Sequence, residues 1–423
     1  MRLCALVAGV LSWTSSATAE AEDLPHVTLS QRSPTRLALA SCFDQNRIES
    51  PIFSRIADFQ PQVFLMAGDN VYNDVMTRPF TFAPTPVEVM RLNYHELNSL
   101  ASYQRIKQSA FVFATWDDHD FGINDGDGSF HLKHMTKELF LDELLEAPAT
   151  DPRRQRGGVY AAQNFHVGPN VFRVVGLDVR FFKDAWNESA HGTMLGGEQW
   201  LWLEKLLCSD RSPRVTIVMS GLQMLMENRG AGESWSRFPH ERKRLLELLV
   251  KCRVRAPLLV SGDIHMAELL EERCDQGRRR FVELTASGIT HSWGTRMNTK
   301  LGSVTAFSSL LRFGMTVAKT FCAWWHVRDS YLGLNYGRIE LDFDKETVHT
   351  AVAGLDGVVF DYEWTFAQLD VGDDGFSVDA CEPWQGRPSR WRVHAGMALT
   401  VVTIVAGLVA PWAFAWLLLC RRR

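Results

Sequence analysis

A chain of 423 residues exceeds one small domain and suits one large α/β body with attachments. Lys+Arg 45 against Asp+Glu 49 leaves a net charge of −4, without the basic excess of a nucleic-acid binder, so no nucleic-acid partner is expected. With 46% hydrophobic and 22% charged residues the composition excludes wholesale disorder, and 8 cysteines are too few for a disulfide-built miniature scaffold.

The chain opens with Met1-Arg2, an apolar run from Leu3 to Trp13 and the small-residue triplet Ala17-Thr18-Ala19. This is the grammar of a secretory signal peptide over residues 1–19. At the other end no residue from Ala395 to Cys420 is charged, and Arg421, Arg422 and Arg423 follow. That length of apolar chain suits a membrane-spanning helix over 395–420 with a cytosolic tail at 421–423. The expected partner of that segment is a membrane, crossed once, with the body outside the cytosol. Residues 371–394 read as a juxtamembrane linker. An oxidising location makes the cysteines candidates for pairing. Cys208 and Cys252 each end a predicted helix just before a predicted strand, which favours that pair. Asn187-Glu188-Ser189 is the one N-glycosylation sequon.

Between the ends, predicted strands at Leu37–Cys42, Val63–Asp69, Phe111–Asp117, Val171–Asp178, Val215–Ser220 and Leu258–Asp263 alternate with helical stretches near 51–59, 86–107, 198–207 and 241–252. Continuous apolar runs separated by amphipathic helices imply sheets covered by helices. In such folds ligands bind beyond the carboxyl ends of strands. Cys42, Asp69, Asp117 and Asp263 all stand at such ends and are expected to converge.

Four segments carry the chemistry. Gly68-Asp69-Asn70-Val71-Tyr72 offers a hard oxygen ligand after a tight turn, with a phenol three residues on. Trp116-Asp117-Asp118-His119-Asp120 packs three acids and an imidazole into one turn, which calls for a nearby positive charge. Ser261-Gly262-Asp263-Ile264-His265 sets Asp and His two apart, a spacing that suits a hard or borderline cation. Cys42 shares the strand-end position of the acids. Together they make the skeleton of a two-metal phosphoesterase, in which the cations lower the pKa of a bound water for in-line attack on phosphorus.

These segments, with Leu177-Asp178-Val179-Arg180, Glu233-Ser234-Trp235, Ser287-Gly288-Ile289-Thr290-His291 and Asn335-Tyr336-Gly337, resemble the PhoD-like alkaline phosphatase (alkaline phosphatase D) family of metallophosphoesterases. The resemblance spans about Arg36 to Phe343 and implies a four-layer α/β/β/α sandwich, placed here at residues 36–370, with iron and calcium. By that resemblance Cys42, Asp69 and Tyr72 hold Fe3+, and Asp69 bridges to a second metal such as Ca2+. Asp118, Asn124, Asp263 and His265 are the further ligand candidates. His119 would assist the phosphoryl transition state or leaving group, Arg180 would clamp phosphate, and His291 would line the pocket. Two departures stand out. The short stretch after the cleavage site leaves no room for the extra N-terminal β domain of some members. The Asp120-Phe121-Gly122-Ile123-Asn124 loop is one residue longer than in those members, which shifts Asn124 along the loop. The expected activity is hydrolysis of small-molecule or lipid phosphate esters, as phosphomonoesterase or phosphodiesterase. The alternative is a catalytically inactive binding ectodomain on the same fold. Leu301–Trp325, rich in apolar and aromatic residues with only Arg312 and Lys319 charged, reads as an interfacial segment with Trp324 and Trp325 at headgroup level.

Overall fold

The computed structural model describes residues 26–47, 51–78, 81–186, 191–226, 232–295, 327–371 and 377–384. It also describes 297–299, 302–304 and part of a helical stretch between 391 and 409. The expected signal peptide, Asn187, Cys322, residues 410–423 and nearly all of Leu301–Trp325 lie outside the described residues.

In chain order the first half runs β1 (His26–Thr28), β2 (Thr35–Ala40), α1 (Ile52–Phe59), β3 (Val63–Ala67), β4 (Asp74–Arg78), β5 (Thr81–Pro84), α2 (Val87–Ser99), α3 (Ala101–Lys107), β6 (Phe111–Thr115), α4 (Asp118–Phe121) and α5 (Lys133–Leu139). The second half continues β7 (Ala161–Val167), β8 (Asn170–Gly176), α6 (Gly196–Ser209), β9 (Val215–Ser220), α7 (Pro239–Lys251), β10 (Pro257–Ser261), β11 (Ala267–Cys274) and β12 (Arg279–Ala286). After the short pair β13 (Met297–Thr299) and β14 (Gly302–Val304) come β15 (Val327–Tyr331), β16 (Tyr336–Asp342), β17 (Thr347–Ala353), β18 (Val358–Thr365) and β19 (Glu382–Pro383).

Two large sheets form the centre. One has the order β1-β7-β8-β9-β10-β12-β11-β15, with β19 on β11; the other has the order β18-β17-β16-β2-β3-β6. In each sheet a run of neighbouring strands is parallel: β2, β3 and β6 in one, β8, β9, β10 and β12 in the other. The continuous apolar strands follow from burial on both faces. Leu37 and Leu39 of β2 face the second sheet, meeting Val174, Ile217, Val260 and Leu284 in one core. Ala38 and Ala40 of the same strand face the opposite way, toward Phe53, Ile56, Tyr94 and Tyr103 of the helices. On the far side Val175, Val218 and Leu259 pack against Leu203 and Leu207 of α6 and Leu245 and Leu249 of α7. The layers are therefore helix, sheet, sheet, helix. A Leu→Ala change at Leu65 in the middle core would cost about 2–5 kcal/mol.

The stretch predicted as one helix over 86–107 is two, because Leu100 is extended at φ −68°, ψ 120°. The break lets Leu97 of α2 and Tyr103 and Ile106 of α3 enter the same core. The body also reaches beyond the expected 36–370 boundaries. β1 pairs with β7, and β19, in the expected linker, pairs with β11 beside a Cys274–Cys381 disulfide. Cys208 is bonded to Cys252, as the helix-then-strand pattern suggested, since β9 and β10 are parallel neighbours. Among the described residues no helix is long and apolar enough to cross a membrane. In the helical stretch before residue 410, Leu399, Val401, Val402, Val405 and Val409 are exposed.

Candidate metal centre

The carboxyl ends of the parallel strands of both sheets open on one rim. Cys42 follows β2, Asp69 follows β3, Asp117 and Asp118 follow β6, Asp263 and His265 follow β10, and Ser287 follows β12. The chain must turn sharply at each end to aim these side chains inward. Cys42, Asp69, Asp263 and His265 all have positive φ, 63°, 50°, 68° and 52°. Such backbone is uncommon outside glycine and persists where the surroundings enforce it. Gly262 shows how close the two sheets come at the rim. A Cβ there would lie 2.4 Å from the Ala67 carbonyl oxygen and 2.5 Å from Ser41 Oγ. Gly68 is similar, since its Cβ would meet the Asp117 Cβ at 2.5 Å.

The donors converge. Cys42 Sγ donates to Asp69 Oδ2 at 3.1 Å and lies 3.0 Å from Ser287 Oγ. Tyr72 Oη is 3.1 Å from His265 Nε2 and 3.3 Å from His291 Nε2, and these two nitrogens are 3.2 Å apart. The Tyr72 ring stacks on His119 at 3.9 Å. Among the described residues four sets of ligand atoms each fall within 4.8 Å of one another: Cys42, Asp69 and His265; Asp69, Asp118 and His119; Asp117, Asp118 and Asp263; and Asp118, Asp125 and Glu233. Asp69 belongs to the first two sets and Asp118 to the last three, so shared carboxylates link all four.

The electrostatics test whether cations fit here. Burial pushes the Cys42 thiol, the Asp69 and Asp263 carboxyls and the Tyr72 phenol above their ordinary values, and neighbouring anions push them further. Burial likewise lowers His265 to about 3 and lowers His291, keeping both imidazoles neutral. Among the described residues, Asp69 Oδ1 is buried without a hydrogen-bond partner. Groups that cannot ionise alone, neutral imidazoles and an orphaned carboxylate oxygen form a donor set that a bound cation completes. The residues fit a metal centre of mixed oxygen, nitrogen and sulfur character.

The other acids have other tasks. Asp120 accepts from the backbone N–H groups of Asn70, Val71 and Asp117, so it shapes the loop. Asp117 pairs with Arg180 at 2.5 Å. Arg180, expected as a phosphate clamp, has a fully buried side chain, also pairs with Glu233 at 2.6 Å, and does not line the pocket. Its position after β8 was legible, but not that it points inward to balance the acids. Glu233, which Lys183 also holds at 3.0 Å, was missed as a member of the network, because its segment follows no strand. Asn124 lines the pocket, while its backbone N–H donates to Asp74 Oδ2 at 2.7 Å. Asp74, also missed, takes His119 Nδ1 at 2.6 Å. The cavity, about 460 Å³, is lined on its chemical side by Tyr72, His119, His265 and His291 and on its outer side by Val75, Met76, Phe82 and Trp293.

Sandwiched sheets that gather strand-end carboxylates, a thiol, a phenol and imidazoles at one rim define the class of metal-binding α/β hydrolases. The family model of the PhoD-like phosphatases matches residues 37–351, and the chain belongs to this family of metal-dependent phosphate-ester hydrolases. In three dimensions the chain is similar to the structure of PhoD, with a TM-score of 0.58 and 13% identity over 90% of this chain and 79% of that one. At that identity the likeness shows the fold. It is also similar to GAP50, the anchor in the inner membrane complex of Plasmodium, with a TM-score of 0.48 and 13% identity over 81% of this chain and 92% of that one. No curated protein matches the chain.

Proposed function

We propose that the protein is a phosphomonoesterase or phosphodiesterase that works with two or more bound cations, Fe3+ and Ca2+ by family resemblance. The observation that carries the reading is Asp69, whose carboxylate belongs to two donor sets at once, as a bridging ligand would. Cys42, Tyr72 and His265 would hold one cation with it; Asp118, Asp263 and Asn124 would serve the other. When bound, the cations neutralise phosphate charge and activate water. The chain's own residues do the rest. His119 is tied to Asp74, and although burial opposes its charge, Asp118 and Asp74 more than offset this and hold its pKa up at about 10. A cationic His119 with Nδ1 engaged keeps Nε2 to donate a proton to the leaving oxygen. The Tyr72 ring fixes the imidazole plane by stacking. His291 stands beside Tyr72 and His265 at the pocket wall, where it orients the ester.

The enzyme is proposed to sit outside the cytosol, held by the apolar C-terminal segment. Two disulfides support an oxidising location, and the exposed apolar residues from Leu399 to Val409 support burial of that segment in lipid. The test is turnover of p-nitrophenyl phosphate and bis(p-nitrophenyl) phosphate by the full chain in detergent, before and after chelation and metal return. Activity lost to chelator and restored by metal is expected. A well-folded, metal-replete protein without turnover would favour the inactive binding ectodomain.

A further inference from the structure

Among the described residues, Arg47 is the one lysine or arginine that lines the cavity. It stands five residues after Cys42, on the same loop. Its Nε donates to Asp44 Oδ2 at 2.9 Å, and both side chains are only 13% exposed. Asp44 is itself fixed: its backbone N–H donates to Thr290 Oγ1 at 2.9 Å, and its Oδ1 accepts from the Asn46 N–H at 2.9 Å. Thr290 in turn contacts His291 Nδ1 at 3.1 Å, so the guanidinium is tied to the strand-end segment that carries a pocket imidazole. The charge of Arg47 reaches that wall, since it contributes to lowering both His265 and His291. Yet Arg47 Nη1 is buried and, among the described residues, has no hydrogen-bond partner.

A buried guanidinium donor left unpaired is costly, whereas a planar fork with a free edge matches the oxygens of a phosphate. Asp44 occupies one edge and fixes the orientation before any ligand arrives, which reduces the ordering cost of binding. We infer that Arg47, held by Asp44, is the residue that binds a non-bridging oxygen of the substrate phosphoryl group and of the phosphate product. The inference rests on the phosphoesterase reading and reassigns the clamp from Arg180, which pairs with Asp117 and Glu233 in full burial and, unlike Arg47, does not line the cavity. Arg47 is a binding residue; it holds the ester and takes no proton.

The test uses the full-length metal-loaded enzyme with Arg47→Gln and Arg47→Lys, and two independent readouts. One is KM and kcat for p-nitrophenyl phosphate with the inhibition constant of inorganic phosphate. The other is calorimetric binding of inorganic phosphate without substrate. Arg47→Gln is expected to raise KM, the phosphate inhibition constant and the phosphate Kd together by about 10- to 100-fold, the size of one charge-assisted hydrogen bond. The melting temperature should stay near wild type, and Arg47→Lys should fall between the two. Unchanged phosphate affinity in Arg47→Gln would overturn the assignment, whatever its effect on melting. If the wild type turns over no phosphate ester, the phosphoesterase reading fails, and the calorimetric comparison still decides whether Arg47 binds phosphate.

Discussion

Cys42 Sγ and Asp69 Oδ2 lie 3.1 Å apart at the ends of the neighbouring parallel strands β2 and β3, both residues with left-handed backbone. Aspartate is among the residues that enter that region more readily; cysteine is not. The rim thus holds a conformation costing about 1–3 kcal/mol per residue in order to bring a thiol and a carboxylate together. Two buried acids at hydrogen-bond distance suppress each other's ionisation. Burial and Asp69 raise the thiol, and burial and neighbouring carboxylates raise Asp69. A cation between them reverses that balance, which ties the geometry of the loop to metal content.

Asp69→Asn therefore separates structure from chemistry. The amide keeps the shape but removes the charge that two donor sets share. Loss of at least ~100-fold in kcat is expected, with metal content measured by elemental analysis falling in parallel, because a bridging ligand supports both ions and the activation of water. The metal-free variant should melt no lower than metal-free wild type, since one member of a mutually repelling acid cluster is gone. Near-normal turnover with both metals retained would refute the bridging role.

Metal-free protein should lose stability as pH rises. Asp117 and Asp120 have folded pKa values raised to about 7, above about 3.9 for an unfolded chain, and Asp69 and Asp263 are raised as well. An acid whose folded pKa is raised is protonated more in the folded state, so its contribution declines from about pH 4 upward through the folded value. His119, raised to about 10, adds stability that is complete below about 6.5 and is lost as pH climbs toward 10. Asp118 runs the other way, lowered by His119 and Arg180 against the effect of burial, but its loss falls at acid pH; His265 and His291, lowered by burial, also run the other way, and their contribution is complete above about pH 6.5, so the fall is read above that pH. Metal binding displaces the protons and inverts the trend. Thermal melts with and without chelator from pH 5 to 9 should show a gap that widens with pH. A constant gap would count against proton-coupled ligation by these acids.

Arg180 should prove structural. Its guanidinium holds Asp117 at 2.5 Å and Glu233 at 2.6 Å in complete burial. Arg180→Met leaves Asp117 without its cationic partner and Glu233 with Lys183 alone, and breaking such a network costs about 3–5 kcal/mol. Urea unfolding of metal-loaded protein should register that loss, while phosphate affinity per folded molecule changes little. A stable Arg180→Met protein with weakened phosphate binding would restore the clamp role to this residue.

How far the sequence could be read follows from what each residue depends on. The convergence of Cys42, Asp69, Asp117 and Asp263 was legible because each ends an apolar run, and strand ends of α/β sheets converge by topology. Arg180 also follows a strand, but its direction depends on Asp117 and Glu233, which lie 63 and 53 positions away in the chain. Asp74 begins β4, a strand whose next residues are exposed, so no buried pattern marked it as the partner of His119. Cys208–Cys252 could be inferred from the helix-then-strand repeat. Cys274–Cys381 could not, because it closes a separation of 107 residues onto a two-residue strand. Arg47 carried no motif, since its meaning lies in an unpaired nitrogen that only the fold reveals.

Tyr72 offers a test by colour. Its hydroxyl lies 3.1 Å from His265 Nε2 and 3.3 Å from His291 Nε2, and its ring stacks on His119 at 3.9 Å. Burial and the nearby Cys42 and Asp69 hold its pKa above the ordinary value near 10, so at neutral pH the phenol keeps its proton in the metal-free protein. Only a strongly polarising cation would draw out the phenolate. If that cation is Fe3+, the iron-loaded enzyme should absorb in the visible through phenolate-to-iron charge transfer. Tyr72→Phe keeps the stacked ring and removes one oxygen, so its melting temperature without metal should match wild type while the absorption band disappears. Protein loaded with calcium alone should be colourless and gives the baseline. Iron-loaded wild type with no visible band, or a Tyr72→Phe variant that keeps the band, would remove Tyr72 from the ligand set and leave it as the platform for His119.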